Sequence, residues 1–90
     1  MSVTMKVHPY LRKFTDGLKE IELEGRTVGE CIDALAARFP ETRERLCDEQ
    51  GNLHSFWEIY LNSDSCYPDE LATPVKDGDE LTVVSIMAGG

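Results

Sequence analysis

The pattern of apolar and polar positions predicts two strands at the start of the chain. Val3, Met5 and Val7 alternate with polar residues, which is the period of a strand that is buried on one face. A second alternating run over residues 18–24 carries three glutamates on its outer side and follows a loop over residues 13–17. We expect the two strands to form a hairpin.

The spacing of apolar residues changes to three and four after residue 27, which predicts the main helix. Thr27 and Glu30 fit a capping box, with the Thr27 hydroxyl accepting from the amide of Glu30 and the Glu30 side chain reaching back to the cap. Pro40 ends the helix, and a short helical turn over residues 41–47 follows. The apolar stripe that should cover the sheet consists of Val28, Cys31, Ile32, Leu35 and Phe39.

Two further strands are predicted in the second half of the chain. Residues 56–62 alternate again, and irregular chain over residues 63–76 leads to an Asp77-Gly78-Asp79 turn. In the last strand Leu81 and Val83 should face inward, while Val84 and Ile86 should face outward.

This order of elements indicates an α+β domain with one main helix packed across one face of a mixed sheet. The last strand should lie beside the first, in the centre of the sheet. We assign residues 1–86 to the domain and residues 87–90 to a flexible tail. The tail could extend about 13 Å, at about 3.3 Å per residue.

Composition narrows the class of partner. The chain has 90 residues, which is enough for one domain. Its net charge of −8 disfavours nucleic acid and anionic lipid as partners. The glutamates of the second predicted strand and of the main helix form either a solvated face or a charged surface that steers the chain toward a basic protein. No apolar run is long enough to span a membrane, and three unpaired-looking cysteines favour a reducing compartment, so we expect a cytoplasmic protein.

The last two residues, Gly89 and Gly90, carry the strongest functional indication. Two glycines without Cβ atoms can pass through a channel that is too narrow for other residues, and Met87 and Ala88 would enter with them. A carboxylate is a poor electrophile, so a terminus built for delivery must first be activated by a partner. The sequence therefore predicts a substrate of another enzyme rather than an enzyme, with no catalytic residue of its own.

Other candidate residues are weaker. Tyr60, Val84 and Ile86 should share the sheet face opposite the helix. There they would form a partner-docking patch, unless they are scattered surface hydrophobic residues or are covered by residues 63–76. The cysteines Cys31, Cys47 and Cys66 have no neighbouring base that would activate them, and with His8 and His54 they do not give a metal-ligand spacing. We expect no metal site and no cofactor bound by the chain.

The order of elements, the length and the tail together resemble the β-grasp sulfur-carrier family of ubiquitin-like proteins, which includes MoaD and ThiS. The resemblance covers nearly the whole chain and is closest to the CysO branch. General family marks are Asp77-Gly78-Asp79, the strand from Leu81 to Val84, and Gly89-Gly90. Marks of the branch are Glu44-Arg45-Leu46, Leu53-His54, Phe56, Ile59-Tyr60, Asn62 and Leu71-Ala72-Thr73.

The resemblance implies a specific chemistry at Gly90. A ubiquitin-activating-type enzyme would use ATP and Mg²⁺ to adenylate the Gly90 carboxylate, and a sulfur donor would then convert it to a thiocarboxylate. In the CysO branch the sulfur would go to a pyridoxal-phosphate enzyme of the cysteine synthase kind, and a zinc-dependent protease would release the cysteine. In other branches an acceptor such as molybdopterin synthase, or a thiamine enzyme, would take it.

Two other functions remain open at this point. The same activated Gly90 could be joined to lysines of target proteins, which would make the chain a protein modifier. Alternatively, the domain could be a β-grasp interaction module with an inert tail.

Overall fold

The computed structural model describes residues 2–86. Five strands lie within this part of the chain: β1 (Ser2–Lys6), β2 (Glu20–Glu24), β3 (Trp57–Leu61), β4 (Asp64–Ser65) and β5 (Glu80–Ser85). The helices are α1 (Val28–Arg38) and α2 (Thr42–Leu46), and 3-10 turns cover Pro9–Phe14 and Glu70–Ala72.

The strands form one mixed sheet in the order β2-β1-β5-β3-β4. β1 and β2 are the predicted antiparallel hairpin, while β5 runs parallel to β1 and antiparallel to β3. The prediction that the last strand lies beside the first, in the centre of the sheet, is confirmed. β5 therefore pairs with β1 at its start, through Thr82, and with β3 as far as Ser85.

One face of the sheet is covered by helices. The α1 residues Val28, Cys31, Ile32 and Leu35 are buried, together with Leu81 and Val83 of β5. Phe39, the fifth residue of the predicted stripe, is only half-buried because it caps the end of α1. The architecture is thus the expected α+β arrangement, with the main helix across one face.

At the N-terminus of α1, one of the two hydrogen bonds of the predicted capping box is present and the other has a different partner. The Thr27 hydroxyl accepts from the amide of Glu30 at 3.1 Å, as expected. The Glu30 carboxylate, however, accepts from the amide of Arg26 at 2.8 Å. The bond therefore goes to the residue before the cap, which a flexible three-bond side chain reaches as readily as the cap itself.

Three further boundaries differ from the sequence prediction. The loop expected over residues 13–17 begins inside the 3-10 turn Pro9–Phe14, and β2 starts at Glu20 rather than at residue 18. The stretch expected to be irregular contains β4 and the 3-10 turn Glu70–Ala72. These elements are too short to produce a hydrophobic period, so the pattern gave no sign of them.

Candidate functional site

The site begins where β5 ends, because β5 leads directly to the tail. Ser85 pairs with Trp57 of β3, and the amide of Ile86 still donates to the carbonyl of Phe56 at 2.9 Å. The backbone is thus anchored to the sheet up to Ile86. Residues Met87, Ala88, Gly89 and Gly90 lie outside the described residues, so their predicted roles stay predictions.

The start of β5 is held by a buried carboxylate in the predicted turn. Asp79 accepts from the amide of Lys76 at 2.8 Å through Oδ2 and from the side-chain amide of Asn62 at 3.3 Å through Oδ1. The Asp79 carbonyl accepts from the amide of Thr4 in β1 at 3.0 Å. Gly78 supplies the positive φ of +89° that this turn needs.

The predicted docking residues lie at neighbouring positions on the open sheet face. Glu58 pairs with Val84 and Tyr60 pairs with Thr82, which places Tyr60 and Val84 diagonally across the two strands. Both are half-buried, whereas Ile86 beyond the strand is 57% exposed. We call Tyr60, Val84 and Ile86 the open-face patch.

The segment over residues 63–76 does not run across this patch. Its 3-10 turn Glu70–Ala72 packs against α1, and the amide of Val75 donates to the carbonyl of Arg26 at 2.9 Å. The first part of the segment thus extends the sheet as β4, and the part over residues 70–75 passes on the helix side. The docking role of the open-face patch remains a prediction.

Acidic side chains surround the open-face patch. Glu58 and Glu80 flank it, and the exposed glutamates of β2 lie on the same face of the sheet. The hydrogen bond from Tyr60 to Glu58, followed by the negative charge of Glu58, raises the pKa of Tyr60. The tyrosine hydroxyl is therefore a neutral donor at physiological pH, and the rim of the patch is negative.

The three cysteines are buried and free. Burial raises the pKa of the Cys31, Cys47 and Cys66 thiols, and the charge of Glu30 raises that of Cys31 further. A raised pKa keeps a thiol protonated and weakens it as a nucleophile.

A second surface at the end of β5 was not predicted from the sequence. On the helix side, a cavity of about 350 Å³ is lined by His8, Tyr10, Arg45, His54, Phe56 and Trp57. Ser85 closes it on the β5 side. We call it the aromatic groove. Its residues come from four separate segments of the chain, so no local pattern could have shown it.

Within residues 2–86, no group of three or more His, Cys, Asp or Glu side chains is arranged to hold a metal ion. None of the helices in this part of the chain has the length and apolar character needed to cross a membrane.

Comparison with known proteins identifies the family. A family model described as "ThiS family" matches residues 6–90. The chain belongs to the ThiS family. It is 38% identical to the sulfur carrier protein CysO of Mycobacterium tuberculosis over 93 aligned positions, which cover 100% of both chains. As a member of this family it is a small ubiquitin-like carrier rather than an enzyme, and the matches support a general sulfur-carrier role.

Solved structures agree with this assignment. The CysO chain in a crystal structure of the Amycolatopsis orientalis BexX/CysO complex gives a TM-score of 0.88 at 38% identity, over 98% of this chain and 99% of that one. Small archaeal modifier protein 1 of Haloferax volcanii gives a TM-score of 0.84 at 24% identity, with 100% of both chains covered. The second likeness concerns the fold alone, and together the two confirm the predicted ubiquitin-like β-grasp fold.

Proposed function

We propose that this chain carries sulfur as a thiocarboxylate on Gly90. The full-length match to CysO at 38% identity is the observation that carries the proposal. The position of β5 supports it, since a central strand that pairs with β1 at its start and with β3 up to its end fixes the point at which the residues after Ile86 leave the domain.

Activation takes place in the active site of a partner. An oxygen of the Gly90 carboxylate attacks the α-phosphorus of ATP, and pyrophosphate leaves with the electron pair of the broken P–O bond. A carboxylate with an ordinary pKa of about 3.3–3.7 is already ionised for this attack. The acyl adenylate has a good leaving group: a hydrosulfide ion from the sulfur donor attacks its carbonyl carbon, the C–S bond forms as the C–O bond to AMP breaks, and loss of the S–H proton leaves the thiocarboxylate with no change in oxidation state. ATP and Mg²⁺ belong to the partner.

The likeness to CysO favours a cysteine-forming pathway over a molybdopterin or thiamine pathway. We propose three partners: a ubiquitin-activating-type adenylating enzyme, a pyridoxal-phosphate enzyme of the cysteine synthase kind that accepts the sulfur, and a zinc-dependent protease that releases the product. The relative from Amycolatopsis orientalis has been crystallised in complex with BexX, which supports docking of this domain to a second protein.

A protein modifier is the second candidate. The fold shared with small archaeal modifier protein 1 supports it, and its first step, adenylation of Gly90, would be the same. The two candidates differ in the nucleophile that displaces AMP: a sulfur species for the carrier and a lysine amine for the modifier. An interaction module with an inert tail would have neither.

Intact mass spectrometry of the chain purified from its native cell separates these functions. We expect one oxygen of the chain to be replaced by sulfur. Because oxidation of any of the three methionines adds nearly the same mass, fragment ions must place the change on Gly90. A tryptic digest of the other proteins of the cell tests for a modifier: because Lys76 is the last Lys or Arg of the chain, a conjugate would carry residues 77–90, ending in Gly89-Gly90, on a target lysine. An unchanged terminus and no such conjugate would identify an inert module.

Deletion of Gly90 is the matched control. We expect the shortened chain to lose all thiocarboxylate while its thermal unfolding midpoint is unchanged, because the deletion leaves every hydrogen bond described for β5 and Ile86 in place. Sulfur that still appeared on the shortened chain would show that Gly90 is not the carrying residue.

A further inference from the structure

The aromatic groove lies at the root of the tail but on the opposite side of the sheet from the open-face patch. Ser85 pairs with the buried Trp57 and faces the helix side, whereas Val84 faces the open side. The chain that leaves β5 is therefore flanked by two different partly exposed surfaces. The open-face patch is the docking surface predicted from the sequence, whereas the groove has no role so far.

The walls of the groove are preformed. The His54 and Phe56 rings stack at 5.2 Å with an interplanar angle of 10°, and His8 meets Trp57 edge-on at 5.2 Å. The indole N–H of Trp57 donates to the carbonyl of Arg45 at 2.8 Å, which fixes the floor. A preformed aromatic pocket loses little conformational entropy when it is filled.

Tyr10 forms the exposed lip of the groove. Its ring centroid lies 6.4 Å from that of Trp57 and 6.2 Å from that of Phe14, yet the residue is 48% exposed. A tyrosine that is held in place but half-exposed beside an apolar cavity is typical of a residue that anchors a partner.

The groove is not acidic, although the chain as a whole carries a net charge of −8. Its one carboxylate, Glu44, is balanced by Arg45, and the imidazoles of His8 and His54 complete the polar lining. Nδ1 of His8 accepts from the amide of Tyr10 at 3.0 Å, so its ring proton is on Nε2, where it is a donor. An apolar group that is accompanied by a carboxylate would complement this lining.

The short tail determines which molecule reaches the groove. Residues 87–90 span at most about 13 Å, at about 3.3 Å per residue, and the backbone is bound to β3 up to Ile86. An enzyme that takes Gly90 into its active site must therefore bring the mouth of its channel against the end of β5. The rim of that channel would cover the aromatic groove.

We propose that the aromatic groove receives an apolar side chain, flanked by an aspartate or glutamate, from the channel rim of the adenylating partner. This proposal rests on the proposed function, since delivery of the tail is what brings the partner to the groove. The groove then acts as an anchor that sets the direction in which the tail enters.

The test is ATP–pyrophosphate exchange by the ubiquitin-activating-type enzyme of the same organism, with the full-length chain as substrate. We expect Tyr10→Ser to raise the KM for the chain about tenfold and to leave kcat within about twofold, because the anchor contributes equally to ground-state and transition-state binding. Tyr10→Phe should restore most of the affinity, because it keeps the ring.

Tyr67→Ser is the matched control, since Tyr67 is 72% exposed and lies beyond β4, away from the groove. It should leave KM unchanged. If Tyr10→Ser behaved like Tyr67→Ser, the groove proposal would be overturned while the proposed function stood. If the unaltered chain supported no exchange, the proposed function would fall as well.

A second measurement does not depend on the folding of any variant. The chain has one tryptophan, so 5-fluorotryptophan labels Trp57 at the floor of the groove alone. We expect its ¹⁹F resonance to shift when the adenylating enzyme is added. A resonance that stayed unchanged in a mixture that carried out exchange would contradict the proposal.

Discussion

Asp79 shows how a single side chain fixes the position from which the tail departs. Its carboxylate joins the turn at Lys76 to the side chain of Asn62, and its carbonyl is bonded to Thr4 in β1. Asn62 in turn accepts from the amide of Glu80 at 3.1 Å through Oδ1. The beginning of β5 is thus tied to β1 and to the residue that follows β3.

We expect Asp79→Ala to destabilise the domain by about 1–3 kcal/mol, because it leaves the Lys76 amide and the Asn62 side chain without their acceptor. Urea unfolding measures the effect. The control is Asp77→Ala, which removes one exposed bond to the amide of Ser2 and should cost less. Equal losses for the two variants would contradict the special role of Asp79.

At the scale of elements, β5 has two roles because its side chains point alternately to the two faces of the sheet. Leu81 and Val83 are buried against the helices, while Thr82 and Val84 are on the open face. The parallel pairing with β1 covers residues 80–82 of β5, and the antiparallel pairing with β3 covers residues 81–85. The same six-residue strand therefore supplies both core packing and part of a partner surface.

We expect Val84→Asp to weaken binding to the adenylating enzyme by more than tenfold, because a carboxylate would have to be desolvated in an apolar contact. Isothermal titration calorimetry with the purified enzyme measures the change. Thr4→Asp is the control: Thr4 is half-buried on the same face of β1, beside the start of β5. The Thr4→Asp variant should lose a similar amount of stability from reduced strand propensity, up to about 1 kcal/mol. Unchanged affinity in Val84→Asp would exclude the open-face patch.

At the scale of the whole molecule, charge is distributed unevenly around the end of β5. Glutamates of β2, β3 and β5 make the open face negative, whereas in the aromatic groove the one carboxylate, Glu44, is balanced by Arg45. Lys6 bridges Glu80 at 3.7 Å between exposed groups, which contributes little to stability. The negative face is thus available for long-range attraction of a basic partner.

We expect association with the adenylating enzyme to slow as ionic strength rises, as measured by stopped-flow kinetics. The double variant Glu20→Gln and Glu22→Gln, which reduces the net charge from −8 to −6, should flatten this dependence. Asp16→Asn with Glu49→Gln makes the same change in net charge away from the open face. Identical slopes for the two double variants would show that net charge, rather than the open face, governs steering.

Much of this architecture could be predicted from the sequence, because its main elements repeat a hydrophobic period over enough residues. The alternation around Val3 and Val83 and the helical spacing after Thr27 identified the strands and α1. The capping bond of Glu30 was predicted to the wrong residue, because sequence spacing does not distinguish two neighbouring amides. β4 was missed since two residues cannot display a period.

The sequence by itself determined the class of fold, the composition of the tail and the face on which Tyr60 and Val84 lie, because each depends on local order along the chain. Only the tertiary structure decided that β5 ends between two surfaces and that His8, Arg45 and Trp57 meet in one groove. The physical reason is that these contacts join residues far apart in sequence, and their geometry is set by sheet pairing and helix packing rather than by local preference.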